Sequence, residues 1–350
     1  MNNKILTFSI AAYNVERFID KCIDSMLSSG CKEDIEILVV DDGSSDKTAE
    51  IAGGYEKKYP GTVRLISKEN GGHGSTINTG IKEAKGKYFR AVDGDDWINT
   101  CDMVKLIENL RDEESDVVLC NYLHFFEDGK IKQDKYAKAI DGRLYKIEEI
   151  NKILDWMNYH SVIYRTDILR DNNIRLDENC FYVDTEFMAF SVPFINTVRY
   201  YDLDIYCYRR DNEGQSVCEL SRIKNIDQSK KVAIHLLRFL KKHEEDMSCE
   251  KLRYLQGGVA GHCMWHFRGL TFFAPDEKKR RELIIFERYI KKMSPEVFGL
   301  MTVPASNRAE GDAGIIRHIR KYNYKTFNLY GIYRRGKGKL KELIHIINKH

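Results

Sequence analysis

Short apolar runs alternate with helical patterns through the N-terminal part of the chain, and this alternation constrains the fold most. Four runs have the length of a β-strand: Ile5–Ala11, Ile35–Val40, Val63–Ser67 and Tyr88–Val92. The segments between them carry apolar residues at helical spacing or end in the glycines that commonly stop a helix. Strands that are apolar throughout and joined by helices are typical of a mainly parallel sheet covered on both faces. The sequence therefore predicts an α/β, doubly wound fold.

Polar residues directly follow three of these four strands. Tyr13 and Asn14 come after the first strand, Asp41-Asp42 after the second, and Asp93 opens a cluster of acids after the fourth. Ligands of open α/β sheets bind outside the carboxyl ends of the strands. We therefore expect these side chains to meet in one binding site.

The acid cluster reads Asp93-Gly94-Asp95-Asp96. In an extended segment Asp93 and Asp95 point the same way, and Gly94 between them permits a tight turn. Two carboxylates aimed at one point repel each other unless a cation lies between them. Mg²⁺ and Mn²⁺ take oxygen ligands, and Mg²⁺ is usually bound by one or two carboxylates together with substrate phosphates. The alternative is a solvated acidic turn, because Asp-Gly is also a common turn pair.

Other phosphate-binding designs are absent from the sequence. No G-x-G-x-x-G follows the first strand, and no G-x-x-x-x-G-K-[ST] occurs, which disfavours a dinucleotide oxidoreductase and a Walker-type nucleotide site. The glycine-rich segment Asn70–Ser75 precedes a helix and predicts either a phosphate cradle or a loop that needs positive φ. The net charge of +3 does not indicate a nucleic-acid partner.

Four segments resemble, in order and spacing, the nucleotide-sugar-binding half of a family 2 glycosyltransferase with the GT-A fold. They are SIAAYNVERFIDKCIDSML, EILVVDDGSSDKTAEI, ENGGHGSTINTGIKEAKGKYF and VDGDDW. The resemblance is closest over residues 1–97 and continues more weakly to residue 217. It implies a GT-A domain over 1–217, with an acceptor half over 98–217. The pattern beyond it predicts a helical C-terminal region over 218–350.

The resemblance implies roles for the residues at the strand ends. The residues after the first strand would line the nucleotide pocket, and Asp42 would bond the base or ribose, with Asp41 as a second candidate. The D-x-D acids would bind the metal, with Asp95 the more direct ligand. The predicted donor-site residues are Ala12, Tyr13, Asn14, Glu16, Asp41, Asp42, Asp93 and Gly94, and the predicted metal ligands are Asp93 and Asp95. His73 has no implied role, and packing within its loop is the prediction for it.

Asp184 stands where the family places its catalytic base. The family's usual Glu-Asp pair is Val183-Asp184 here, and Glu186 is the competing candidate. Asp184 is predicted to begin a helix, and a helix N-terminus favours the ionised carboxylate that a base requires. The alternative is that Asp184 only caps this helix.

The resemblance implies an inverting glycosyltransferase that uses Mn²⁺ or Mg²⁺ and a nucleotide-sugar, of which a UDP-sugar is the expected one. The expected acceptor is a saccharide or lipid-linked intermediate of cell-surface polysaccharide synthesis. Two alternatives remain. A sugar nucleotidyltransferase would need a basic, glycine-rich loop after the first strand, where AAYNVERF stands. A non-catalytic carbohydrate- or nucleotide-binding protein would keep the fold without turnover.

Cysteine usage and the basic C-terminus bear on location. Nine cysteines without a C-x-x-C pair fit reduced thiols in a cytoplasmic protein. No apolar run reaches the roughly 18 residues that a membrane span needs. The tail at 334–350 predicts an amphipathic helix with lysines on one face, which either docks on the protein or makes peripheral contact with the cytoplasmic face of a membrane.

Overall fold

The computed structural model describes residues 4–210, 221, 224–273, 276–303 and 310–327. The chain divides into two compact units, of which the first comprises Met1–Glu213 with Ser248–Lys251 and the second Gly214–Met247 with Leu252–His350. The predicted domain boundary at residue 217 lies outside the described residues and stays a prediction. Among the helices described, none combines the length and apolar character that crossing a bilayer requires.

The first unit is built on one ten-stranded sheet whose strands run in the spatial order β3-β2-β1-β4-β9-β6-β10-β5, with β7 beside β6 and β8 beside β10. In chain order, the strands are β1 Leu6–Ala12, β2 Ile35–Asp41, β3 Val63–Ser67, β4 Tyr88–Asp93, β5 Trp97–Ile98, β6 Val117–Phe125, β7 Ile131–Asp134, β8 Leu144–Lys146, β9 Val162–Arg165 and β10 Thr197–Arg209.

Helices connect these strands and make up the described part of the second unit. Those before β10 are α1 Ile19–Leu27, α2 Thr48–Lys58, α3 His73–Glu83, α4 Thr100–Leu110, α5 Thr166–Asp171 and α6 Asp184–Ser191. Those after it are α7 Ile226–His243, α8 Cys249–Phe273, α9 Glu277–Met293, α10 Pro295–Leu300 and α11 Glu310–Lys321. The helical C-terminal region that the sequence predicts is therefore present.

The parallel half of the sheet consists of β3, β2, β1 and β4, as the apolar runs predict. β1 lies between β2 and β4 and pairs parallel with both, so that Ala12 is opposite Asp41 and Ala11 is opposite Asp93. Phe8 and Ile10 of β1 are fully buried in the core. This register brings the polar ends of three strands to one edge of the sheet, as expected.

The other half of the sheet is mixed. β9 is antiparallel to both β4 and β6, and so joins the two halves of the unit. β10 runs parallel to β6 with register shifts between Tyr200 and Tyr206, while the two-residue β5 pairs antiparallel with β10 through Trp97 and Cys207. The sequence predicts β6 and β10, but β9 is too short for its periodicity to separate it from the surrounding loop.

Candidate active site

Backbone hydrogen bonds fix the three strand ends against each other. The Asp42 amide donates to the Ala12 carbonyl at 2.9 Å, and the Gly94 amide donates to the Ala11 carbonyl at 3.0 Å. A Cβ on Gly94 would lie 3.0 Å from that same carbonyl oxygen and 2.9 Å from Cγ2 of Val15. Glycine is therefore needed here because a side chain would block the close approach of two strand ends. A left-handed backbone is not the reason, since the φ of Gly94 lies outside that region.

Asp42 holds the glycine-rich loop between β3 and α3. Its carboxylate is 2% exposed and accepts from the amides of Gly71 at 3.0 Å and Gly72 at 2.7 Å. Lys68 Nζ, at 2.7 Å, and Ser75 Oγ, at 3.2 Å, also donate to it. Because four protein groups donate to this carboxylate, Asp42 holds the loop in its conformation. The predicted contact of Asp42 with the base or ribose stays a prediction.

A cleft of about 400 Å³ opens beside this loop, a volume typical of small-molecule sites. Its walls come from the end of β1, the glycine-rich loop and the loop before α6. The lining residues are Ala11, Ala12, Tyr13, Asp42, Asn70, Gly72, His73, Thr76, Asn179, Cys180 and Phe181. Three of the predicted donor-site residues, Ala12, Tyr13 and Asp42, are therefore in its wall, and the Tyr13 ring is 52% exposed.

Asn14, Glu16 and Asp41 accept hydrogen bonds from loop amides and do not line this cleft. Asn14 Oδ1 accepts from the Ser45 amide at 2.8 Å, and Glu16 Oε2 accepts from the Lys47 amide at 2.9 Å. Asp41 Oδ1 accepts from the amide of Ser44 at 3.3 Å. The bonds of Asn14 and Glu16 tie the loop after β1 to the loop after β2, whereas that of Asp41 is local to the end of β2. Ligand contacts for the three residues stay predictions.

The glycine-rich loop also packs tightly against the segment that precedes α6. A Cβ on Gly74 would lie 2.1 Å from the Asp177 carbonyl oxygen, and one on Gly72 would lie 3.4 Å from Cα of Asn179. Within the preceding segment, Tyr182 has a φ of 71°, which is uncommon for an aromatic residue. The two loops therefore hold each other at the mouth of the cleft.

We expect Gly74→Ala to destabilise the first unit by about 2–3 kcal/mol, because backbone on both sides must move to admit the methyl group. Gly54→Ala is the matched control, since Gly54 is exposed within α2 and a Cβ there meets nothing within 4 Å. That control is expected to gain about 0.5–1 kcal/mol from better helix propensity. Urea unfolding followed by circular dichroism measures both, and an unchanged midpoint for Gly74→Ala would contradict this packing.

His73 begins α3 and lies against the acid cluster. Its Nε2 is 3.1 Å from Asp93 Oδ1, and Tyr159 also donates to that oxygen at 3.2 Å. Burial opposes ionisation of both partners, but their hydrogen bond and mutual charge outweigh it, so the pKa of His73 is raised and that of Asp93 lowered. The prediction of simple loop packing for His73 is therefore wrong: the residue both lines the cleft and pairs with the first acid of the D-x-D.

Asp96, for which the sequence predicts no role, is the buried member of the cluster. Its carboxylate accepts from Tyr206 OH and from the Arg209 amide, each at 2.7 Å. Burial, followed by the charges of Asp93 and Asp95, raises the pKa of Asp96 well above its ordinary value. Three carboxylates in one place thus carry a repulsion that a bound cation would relieve.

Oxygen and nitrogen atoms from three residues are close enough to hold a metal ion. Single ligand atoms of Asp93, Asp96 and His160 all lie within 4.8 Å of one another. Carboxylate oxygens with an imidazole nitrogen are a common donor set for divalent transition ions. Of the predicted ligands, Asp93 belongs to this group; Asp95 is half-buried beside it, outside the three, and its role as a ligand stays a prediction.

Asp184 and Glu186 differ sharply in their surroundings. Asp184 is the first residue of α6, directly after the N-cap residue Val183, and is partly exposed. Burial raises its pKa, although the charge of His73 and the Thr185 amide oppose the shift, so the expected lowering at the helix start does not prevail. Glu186 is fully buried, and its Oε2 accepts from the Asp177 amide at 2.8 Å.

Comparison with known proteins gives matches over much of the chain. The glycosyl transferase family 2 model matches residues 7–172. The uncharacterized glycosyltransferase EpsJ of Bacillus subtilis is 31% identical over 216 residues, which is 59% of this chain and 61% of EpsJ. The poly(ribitol-phosphate) beta-glucosyltransferase of Bacillus spizizenii is 28% identical over 61% of this chain and 33% of its own. The chain therefore spans less than two thirds of the length of these relatives.

Among solved structures, Staphylococcus aureus TarS 1-349 in complex with UDP-GlcNAc is similar with a TM-score of 0.69 at 22% identity. The match covers 95% of this chain and 92% of the TarS chain. This likeness shows the fold, and it confirms the predicted GT-A architecture. Over its residues 7–172, which are 166 of its 350, the chain is similar to glycosyl transferase family 2.

Proposed function

We propose that the protein is an inverting glycosyltransferase that moves a sugar from a nucleotide-sugar to a saccharide or lipid-linked acceptor in cell-surface polysaccharide synthesis. One observation carries this proposal: His73 lines the cleft and also pairs with Asp93 at 3.1 Å, so the cleft and the acid cluster form one continuous site. A nucleotide in the cleft would place its phosphates next to the acids, where a cation is needed to neutralise both.

The proposed donor is a UDP-sugar. The half-exposed ring of Tyr13 offers a flat surface on which a base can stack. The TarS complex with UDP-GlcNAc supports the choice of nucleotide, because TarS has a similar fold. The relative from Bacillus spizizenii, named a poly(ribitol-phosphate) beta-glucosyltransferase, supports an acceptor in the cell envelope.

The proposed cofactor is Mn²⁺ or Mg²⁺, held at the acid cluster by Asp93 and, as predicted, Asp95. The residues present fit such an ion, because Asp93, Asp96 and His160 bring ligand atoms within 4.8 Å of one another. When bound, the ion would neutralise charge on the departing diphosphate. Asp93 accepts hydrogen bonds only on Oδ1, which leaves Oδ2 for this contact within the described residues.

Asp184 is the proposed general base. The acceptor oxygen attacks the anomeric carbon, the bond from that carbon to the diphosphate breaks, and the hydroxyl proton passes to the Asp184 carboxylate. Direct displacement inverts the anomeric configuration. Partial exposure of Asp184 supports its access to an acceptor, whereas the buried and hydrogen-bonded Glu186 serves the loop before α6. A pKa raised by burial suits a base that must take up a proton near neutral pH.

A thermal-shift screen of nucleotide-sugars tests the donor and the metal together. With Mn²⁺ present, a UDP-sugar at a hundredfold excess over its Kd is expected to stabilise the protein by about 2.7 kcal/mol, and GDP- and ADP-sugars by less. Release of UDP in the presence of acceptor then separates a transferase from a binding protein, and release of diphosphate from UTP and a sugar phosphate would identify a nucleotidyltransferase. Stabilisation by every nucleotide-sugar except those of UDP would overturn the donor assignment.

The predicted cytoplasmic location and the peripheral membrane contact stay predictions. The basic tail at 334–350 that motivates the membrane contact lies outside the described residues.

A further inference from the structure

The histidine beside the acid cluster has a role that the family resemblance does not supply. We infer that His160 Nε2, together with Asp93 and Asp96, is a direct ligand of the divalent cation. The inference rests on the proposed metal-dependent function, and it names the ligand set of that site. It adds a nitrogen ligand from a segment 67 residues after Asp93, which nothing in the D-x-D itself predicts.

Hydrogen bonds and ring contacts fix the orientation of His160. Its Nδ1 and its backbone amide are each 2.9 Å from Oδ1 of Asn158. The ring stacks on Tyr208 with centroids 4.2 Å apart and planes 22° apart. An imidazole whose Nδ1 donates to an amide oxygen carries its lone pair on Nε2, and metal-binding histidines are commonly held in this way.

His160 Nε2 has no hydrogen-bond partner among the residues described, and its backbone carbonyl is held by the buried Arg90. His124 in the same row of rings provides the contrast, because its Nε2 is 3.0 Å from Asp134 Oδ2. A histidine that only packed against its neighbours would not need one ring nitrogen anchored by Asn158 in a ring that has a ligand atom within 4.8 Å of carboxylate oxygens of both Asp93 and Asp96.

The two carboxylates keep electron pairs for a cation. On Asp93 both side-chain bonds fall on Oδ1, and on Asp96 each oxygen accepts one bond, from the Arg209 amide or from Tyr206 OH. A carboxylate has about four acceptor sites, so both residues can bind an ion without losing these partners. The ligand atoms of the three residues all lie within 4.8 Å of one another. Two ligand atoms on opposite sides of a small divalent ion are roughly 4.2 Å apart, so the spacing is close to that of a metal site.

The presence of an imidazole has a chemical consequence for the choice of ion. Mg²⁺ is bound through carboxylates, phosphates and water, whereas imidazole favours transition metal ions. With His160 as a ligand, the set would fit the transition metal ion Mn²⁺ better than Mg²⁺.

Pulsed electron paramagnetic resonance of bound Mn²⁺, with saturating UDP, tests the ligand directly. The wild type is expected to show coupling to a histidine nitrogen, identified by labelling histidine with ¹⁵N. His160→Phe keeps a ring against Tyr208 and is expected to lose this coupling and at least about tenfold in Mn²⁺ affinity. His124→Phe, the matched control, is expected to keep both. Should His160→Phe fail to fold, His160→Gln must still abolish the coupling.

The outcomes separate this inference from the function on which it rests. Wild-type Mn²⁺ binding without histidine coupling would overturn the His160 ligand and leave metal dependence intact. Coupling that survives in His160→Phe but disappears in His73→Phe would assign the nitrogen to His73 instead. Absence of Mn²⁺ binding, with UDP-sugar stabilisation retained, would overturn both the ligand set and the metal requirement but not the donor site.

Discussion

Asp184→Asn is expected to lower turnover by about 10²–10⁴-fold, because the amide cannot accept the proton of the acceptor hydroxyl. Folding and donor binding should change little, since asparagine keeps an oxygen that can accept from the Thr185 amide and Asp184 does not line the cleft. Turnover is measured as sugar transfer in single-turnover and steady-state assays, with the anomeric configuration of the product read by nuclear magnetic resonance. The wild-type product should have the inverted configuration.

Glu186→Gln is the matched control for this variant. The amide oxygen of glutamine can still accept from the Asp177 amide, so the loop before α6 should be preserved and turnover retained. Turnover that survives in Asp184→Asn and is lost in Glu186→Gln would move the base to Glu186. A product of retained configuration would exclude single displacement.

Asp93→Asn is expected to weaken Mn²⁺-dependent binding of UDP by more than about 100-fold, because it removes a charged ligand and the ion-pair partner of His73. Calorimetric titration of UDP with and without Mn²⁺ measures the loss. Asp155→Asn, which changes an exposed carboxylate outside the site, is the control and should bind as the wild type does. Undiminished Mn²⁺-dependent affinity in Asp93→Asn would remove the acid cluster as the metal site.

Asp95→Ala decides whether the second acid of the D-x-D is also a ligand. If Asp95 is a ligand, Asp95→Ala should abolish metal-dependent donor binding. The fold should stay intact, because removing one of three neighbouring carboxylates relieves the repulsion between them. A loss much smaller than that of Asp93→Asn would show that Asp95 contributes mainly through its charge.

The sequence was informative where a structure follows from local pattern. β1, β2 and β4 could be predicted because continuous apolar runs joined by helices have few alternatives, and their register then places Asp41 and Asp93 at one edge. The fold of this half and the position of the site therefore followed from residues 5–96 alone. The role of Asp42 did not follow, because its partners are backbone amides 29 and 30 residues later.

The residues that sequence reasoning missed are joined by long-range contacts. His73 and Asp93 meet only because the start of α3 and the end of β4 reach the same edge, and Asp96 meets Tyr206 across 110 residues. Neither contact leaves a periodic or spacing signal in the chain. The one signal in the sequence was the extra acid, since the motif reads D-x-D-D and not D-x-D. A third carboxylate, that of Asp96, so close to two others needs hydrogen-bond donors of its own.

The pairing of Asp96 with β10 also bears on how the protein is made. Translation proceeds from the N-terminus, so Asp96 leaves the ribosome 113 residues before Arg209, whose amide it binds. At roughly 5–20 residues per second this interval lasts about 6–23 s. The parallel half of the sheet is complete by then, while the carboxylate of Asp96 still lacks both Tyr206 and Arg209. The nascent chain can therefore form the parallel half of the sheet before the acid cluster has all of its hydrogen bonds. A chain released before residue 206 would lack the bonds from Tyr206 and Arg209 that hold Asp96.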